Sequence, residues 1–133
     1  DWGPKMKRIY VAGPYSGPDV ITILGNIKRG IELSLKIMKL GYAVYCPWLD
    51  WQFGVQANLT KEEYQRNSMA WVEVSDAVVL APGWEKSGGT LREIERAKEI
   101  GIPVFETLEA FIGSGTTTPE YRLLPKRPPR GGC

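Results

Sequence analysis

Ser87-Gly-Gly-Thr-Leu-Arg-Glu93 brings hydroxyls, bare backbone amides and a carboxylate together where a glycine-rich stretch turns into a helical pattern. Thr90 and Glu93 have the three-residue spacing of a capping box, in which the threonine opens the helix and the glutamate closes back on it. The same stretch suits chemistry equally well. Ser87, Gly89 and the amides around them form an anion-favouring helix entrance, with Glu93 a carboxylate just inside it. On spacing alone both readings of Glu93 stand.

Two other stretches carry groups of the same kind. Gly13-Pro-Tyr-Ser-Gly17 follows a β-branched run, where a phosphate-binding turn would lie. It is not the G-x-G-x-x-G dinucleotide fingerprint, and Pro14 removes an amide donor, but Ser16 and Gly17 still offer hydroxyl and amide donors. An unliganded turn is the equal alternative. Trp48-Leu-Asp-Trp-Gln-Phe-Gly54 sets Asp50 among aromatic rings. Such surroundings raise a carboxyl pKa. The rings could stack on a base or sugar, although their apolar area makes the core their default place. Tyr64, Ser68 and Trp71 share one helix face that reads as core-facing, with Ser68 a small packing residue. Asp76, before an apolar run, reads as a structural cap or loop hydrogen bond.

The chain has no histidine. That removes the commonest general base and any Ser-His or Cys-His nucleophile pair. Carboxylates, tyrosines and hydroxyls must carry any proton and charge work, and no metal or cofactor is expected.

The elements that must position these groups alternate. Lys7–Gly13 reads as a buried strand stopped by Gly-Pro. A long helix follows, with Ile27, Ile31, Leu35 and Met38 as its apolar stripe and Gly41 as its stop. Tyr42–Pro47 is a second strand. Thr60 and Glu63 form a capping box for a helix running to about Val74. Asp76–Pro82 is an all-apolar strand of the kind found in parallel sheets. Ile102–Glu106 is a fourth strand, and Leu108–Ile112 a short helix. This pattern predicts a single α/β domain, Rossmann- or flavodoxin-like, with a parallel sheet of four to five strands flanked by helices. Ligands of such sheets bind beyond the carboxyl ends of the strands, which here release the three candidate loops.

With 133 residues and 43% apolar content, one domain with a real core is expected. Residues 1–6 read as an N-terminal extension, 7–113 as the domain and 114–133 as a Pro/Gly-rich tail. That tail reads as disordered on composition, or as an arm that docks on a neighbouring subunit through Tyr121, Leu123 and Leu124. A net charge of +2 gives no argument for a nucleic-acid polymer as partner. Cys46 and Cys133 make no disulfide framework, so a reducing, cytoplasmic setting is expected. No apolar run approaches the roughly 20 residues of a membrane span, and no signal peptide is visible.

Taken in order, Ile9-Tyr-Val-Ala-Gly-Pro-Tyr-Ser-Gly17, Ser75 to Ala97 and Gly101-Ile-Pro-Val104 resemble the nucleoside 2-deoxyribosyltransferase superfamily. This includes its nucleoside 5'-monophosphate N-glycosidase branch and short phage and bacterial relatives. The resemblance runs from about Lys7 to Phe105. It implies that Glu93, with Ala97 four residues on, is the catalytic glutamate that attacks the anomeric carbon or stabilises its oxocarbenium character. It implies that Tyr10 orients this carboxylate and that Ser87 binds a 5'-phosphate. Gly13, Ser16 and Gly17 would lie along the sugar and phosphate.

The family often has an aspartate on the middle helix for the leaving base. Ser68 stands there instead, leaving Asp50, Glu63 or another group for that task. Gly88-Gly-Thr-Leu-Arg-Glu93 also resembles the GGxGTxxE signature of the cytokinin-activating phosphoribohydrolases, which break the same kind of bond. Both resemblances imply hydrolysis of the N-glycosidic bond of a (deoxy)nucleoside 5'-monophosphate. Transfer of deoxyribose between bases and non-catalytic nucleotide binding are the alternatives. The resemblance further implies a homodimer or higher homo-oligomer.

Overall fold

The computed structural model describes residues 5–115. Residues 1–4 and 116–133, with the expected arm of Tyr121, Leu123 and Leu124, lie outside the described residues. The elements are β1 (Arg8–Ala12), α1 (Val20–Lys39), β2 (Ala43–Tyr45), a 3-10 turn (Pro47–Gln52), α2 (Phe53–Gln56), α3 (Lys61–Glu73), β3 (Ala77–Leu80), a second 3-10 turn (Trp84–Lys86), α4 (Gly88–Glu99), β4 (Val104–Phe105) and α5 (Leu108–Gly113).

The four strands form one parallel sheet in the order β2-β1-β3-β4. The expected α/β architecture is present, with four strands among the described residues. Because β1 is central and the chain moves first to β2 and then to β3, the strand order reverses beside β1. Loops leaving β1 and β3 therefore diverge there and open a crevice. β1 and β3 are apolar along their whole inner length, and Ile9 to Ala12 and Ala77 to Leu80 are buried. This follows from helices covering both faces of the sheet. One core layer joins Val11, Ile37, Trp48 and Phe111, and the opposite layer joins Tyr10, Val72, Leu80 and Ala97. Asp76 is structural as expected: its carboxylate accepts from the Arg8 amide at 2.6 Å, and its own amide donates to the Arg8 carbonyl at 2.7 Å.

α1 starts on Asp19, whose side chain accepts from the Thr22 amide, and stops at Gly41 with φ 103°. Its buried stripe differs from the apolar one expected. Asn26, Gly30, Ser34 and Ile37 face inward, Ile27 and Ile31 flank them, and Leu35 and Met38 are exposed. The reason is Trp48. A Cβ at Gly30 would stand 2.2–2.4 Å from its indole ring, so the helix offers its smallest residues where that ring must fit. The bulkier stripe is left outside. Among the described residues, no helix is long and apolar enough to cross a membrane.

Candidate functional site

One cleft of about 1440 Å³ opens at the carboxyl ends of β1, β2 and β3. Tyr10, Gly13, Ser16, Gly17, Asp50, Ser68, Ser87, Gly89 and Glu93 all line it. Residues drawn from four separate stretches of sequence thus meet at one place. Glu63 does not line the cleft and is exposed, so it is not placed to serve a ligand there.

The helix start at Ser87–Glu93 differs from the capping box. Ser87, not Thr90, is the N-cap: its Oγ accepts from the Thr90 amide at 3.2 Å and from the Thr90 hydroxyl at 2.9 Å. Gly88 and Gly89 are the first helical residues. Neither would meet an atom within 4 Å if it carried a Cβ, so their bareness uncovers the amides of the first turn. Those amides form the anion-favouring end of the cleft. Ser87 keeps its own hydroxyl proton to donate.

Moving the cap one turn upstream frees Glu93 from capping. Its Oε2 accepts a hydrogen bond from the Tyr10 hydroxyl on β1. Burial pushes the Glu93 carboxyl up to about 7, against the opposing effects of the Tyr10 hydrogen bond and the Arg92 charge. Burial, together with the negative charge of Glu93, holds the Tyr10 phenol well above its ordinary value, so it stays a proton donor. The nearby Ser68 hydroxyl opposes that rise. Ser68 lines the cleft, half-buried, rather than filling the core.

The expected core-facing surface of α3 is also corrected. Tyr64 and Ser68 line the cleft, and Trp71 is 46% exposed. The helix packs through Val72 and Met69 instead, leaving the polar side of its middle turns to the cleft. The aromatic loop divides in the same way. Trp48 is buried, whereas Trp51 and Phe53 are exposed, with Trp51 at the cleft.

Several positioning contacts go beyond what the sequence showed. Asn26 on α1 donates to the carbonyls of Tyr15 and Ser16, at 3.1 and 3.2 Å, and accepts from Arg29 at 2.7 Å. One buried amide therefore shapes the loop after β1 and aims a guanidinium along the cleft wall. Trp48 Nε1 donates to the Pro14 carbonyl at 3.0 Å, tying the loop after β2 to the loop after β1. Tyr45, at the end of β2, donates to Asp50 Oδ2 at 2.5 Å. The signal for Tyr45 was present in the sequence: both Arg8-Ile-Tyr10 and Ala43-Val-Tyr45 end in tyrosine, and the two are register partners.

Arg29, Lys61, Lys86 and Arg92 line the cleft against only two carboxylates, Asp50 and Glu93. The excess of cations, with the α4 amides, favours an anionic ligand. Among the described residues, no three Cys, Asp or Glu side chains gather as metal ligands. The arrangement can bind an anion at the start of α4 while presenting a held carboxylate farther along the same helix.

Residues 7–106 match the model of a family described as a domain of unknown function, DUF4406, and the chain belongs to that family. No curated protein matches the chain.

Proposed function

We propose that this protein hydrolyses the N-glycosidic bond of a (deoxy)nucleoside 5'-monophosphate, releasing free base and sugar phosphate, with Glu93 as nucleophile. The observation that carries the reading is the pairing on α4 of an open, amide-rich N-terminus with a carboxylate one and a half turns on. Glu93 is held there by Tyr10 within a cationic cleft. Five residues of helix rise separate Gly88 from Glu93, roughly 8 Å along the axis. A phosphate on the amides leaves its sugar ring over the carboxylate. The resemblance to the deoxyribosyltransferase superfamily supports the same assignment through Tyr10, Ser87 and Glu93.

In the first step, a Glu93 oxygen bonds to the anomeric carbon as the C–N bond breaks. The bonding pair leaves with the base, which takes up a proton. Water then adds to the anomeric carbon, freeing sugar phosphate and restoring the carboxylate. A second free base in place of water gives the transferase reaction. Neither step calls on a metal or cofactor. The ligand in this reading is a small-molecule nucleotide or nucleoside, with no membrane or nucleic-acid polymer involved. The setting is cytoplasmic, and the functional unit is a homo-oligomer.

Incubation with a panel of nucleoside 5'-monophosphates, followed by chromatography for free base, tests this directly. Release from at least one member is expected, and Glu93→Ala should lower its rate by orders of magnitude while the fold survives. Tight binding with no release from any member would replace the enzyme by a nucleotide-binding module. Adding a second base separates hydrolase from transferase.

A further inference from the structure

The bond-cleaving step written above uses no group on Asp50, yet Asp50 is held in the cleft from two other elements. It sits partly buried on the 3-10 turn after β2. Tyr45 donates to its Oδ2 at 2.5 Å. Asn67 on α3 donates to the Tyr45 hydroxyl at 2.8 Å and reaches the same Oδ2 at 3.4 Å. Tyr45 is itself fixed between two rings, stacked on Tyr10 at 5.5 Å and on Trp71 at 5.2 Å. Both hydrogen bonds fall on one carboxylate oxygen of a residue that lines the cleft. An ionised carboxylate only accepts hydrogen bonds. Among the described residues, none donates a hydrogen bond to Oδ1.

Topology says what would bring one. Across the sheet the loops follow the order β2, β1, β3. The open amides of α4 follow β3, Tyr10 with Glu93 marks the middle, and Asp50 follows β2. Two strand spacings, roughly 10 Å, separate the outer loops. A nucleotide with its phosphate on the amides and its anomeric carbon at Glu93 sends its base toward Asp50. Trp51 and Tyr64 line the cleft there as well.

We propose that Asp50, held by Tyr45 and Asn67, reads the base: its Oδ1 accepts from an exocyclic amino group. It thereby selects amino-bearing nucleotides, of the cytosine or adenine type, over their oxo counterparts. This rests on reading the cleft as a nucleotide site. An oxo base would set a carbonyl oxygen against the carboxylate, two acceptors with no proton between them. A site built around a hydrogen bond strongly rejects the analogue that cannot make it.

The test compares dCMP with dUMP and dAMP with dIMP, by ligand-induced shift in Tm and by base release. Wild type, Asp50→Asn and Tyr45→Phe are measured side by side. Wild type should favour the amino member of at least one pair by tenfold or more. Asp50→Asn, whose amide offers both a donor and an acceptor, should bring that ratio near one. Tyr45→Phe should lower it several-fold through KM rather than kcat, as expected of a positioning residue. Equal treatment of both members of each pair by wild type, or an unchanged ratio in Asp50→Asn, overturns the assignment. Selective Tm shifts without base release would remove the hydrolase reading while upholding Asp50. Base release with no amino preference would do the reverse.

Discussion

Tyr10 and Tyr45 are register partners on neighbouring parallel strands, their rings stacked 5.5 Å apart and 12° from parallel. Each phenol donates to a carboxylate from a different element, Tyr10 to Glu93 on α4 and Tyr45 to Asp50 after β2. The sheet register therefore sets the relative placement of two acids that lie 43 positions apart in the chain. Neither acid is positioned by its own loop alone.

Removing the Tyr10 hydroxyl should move the pH profile as well as the rate. The phenol favours ionised Glu93 while burial disfavours it, and the balance stands at about 7. As the nucleophile must be ionised, kcat/KM should rise with pH through that value. Tyr10→Phe deletes a lowering influence, so the acidic limb should shift upward by roughly one unit. A pH–rate profile checks this, and an unshifted limb would mean the phenol does not act on Glu93.

The same carboxyl costs stability at alkaline pH. Its folded pKa of about 7 exceeds the ordinary glutamate value of 4.5, so between these values the folded state binds the extra proton. Stability therefore falls as pH rises from about 4.5 to 7, and the penalty is complete above 7. Glu93→Gln, which carries no charge to bury, should be more stable than wild type at pH 8 by roughly 1–3 kcal/mol. The difference should vanish near pH 4. Denaturant unfolding at the two pH values gives the comparison.

Gly30→Ala should destabilise the fold although it improves helix propensity. The new Cβ would fall within 2.4 Å of the Trp48 ring, and overpacking of this kind costs about 1–3 kcal/mol. Displacing Trp48 also strains its bond to the Pro14 carbonyl. Ligand affinity should fall along with Tm. A control at Gly25, where the nearest atom is the flexible end of Arg29, should be milder.

The outer stripe of α1 is the surface expected to carry a homodimer. Ile21, Leu24, Lys28, Leu35 and Met38 are exposed along α1 and, with half-buried Ile31 at the inner margin, recur at steps of three and four, the spacing of a helix–helix seam. Antiparallel pairing with a second copy sets Leu24 against Leu35 and Ile21 against Met38, and brings Lys28 near Glu32. Such self-complementarity is what a two-fold interface requires. Sedimentation velocity should show a dimer of the 14.9 kDa chain, and Leu24→Lys with Leu35→Lys should dissociate it. A wild-type monomer at all concentrations would remove this interface.

Periodicity and breakers were enough to read the fold, because each strand is bounded by Gly, Pro or a capping residue. Choosing a face was harder. α1 has two apolar sides, and only the tertiary demand of Trp48 decides that the small-residue side turns inward. The candidate site was legible where its residues adjoin strand ends or glycines, as at Tyr10, Ser16 and Ser87. Asn26 and Asn67 escaped because their value lies in contacts across 10 to 22 residues of chain, which no local pattern encodes. Ser68 was read as a small packing residue, but it lines the cleft, because α3 packs on the sheet through Val72 and Met69 instead.

Among the described residues β1 is the first strand in sequence, and it is an inner strand of the sheet. During synthesis it emerges long before β3, whose residues Ala77–Leu80 must cover its second edge. Until then, an apolar strand with unpaired amides has only short β2 beside it, a template for pairing with other nascent chains. Fragments ending before residue 77 should therefore aggregate rather than fold. The strand bearing Tyr10 becomes secure only once β3, from the second half of the described chain, has paired with it.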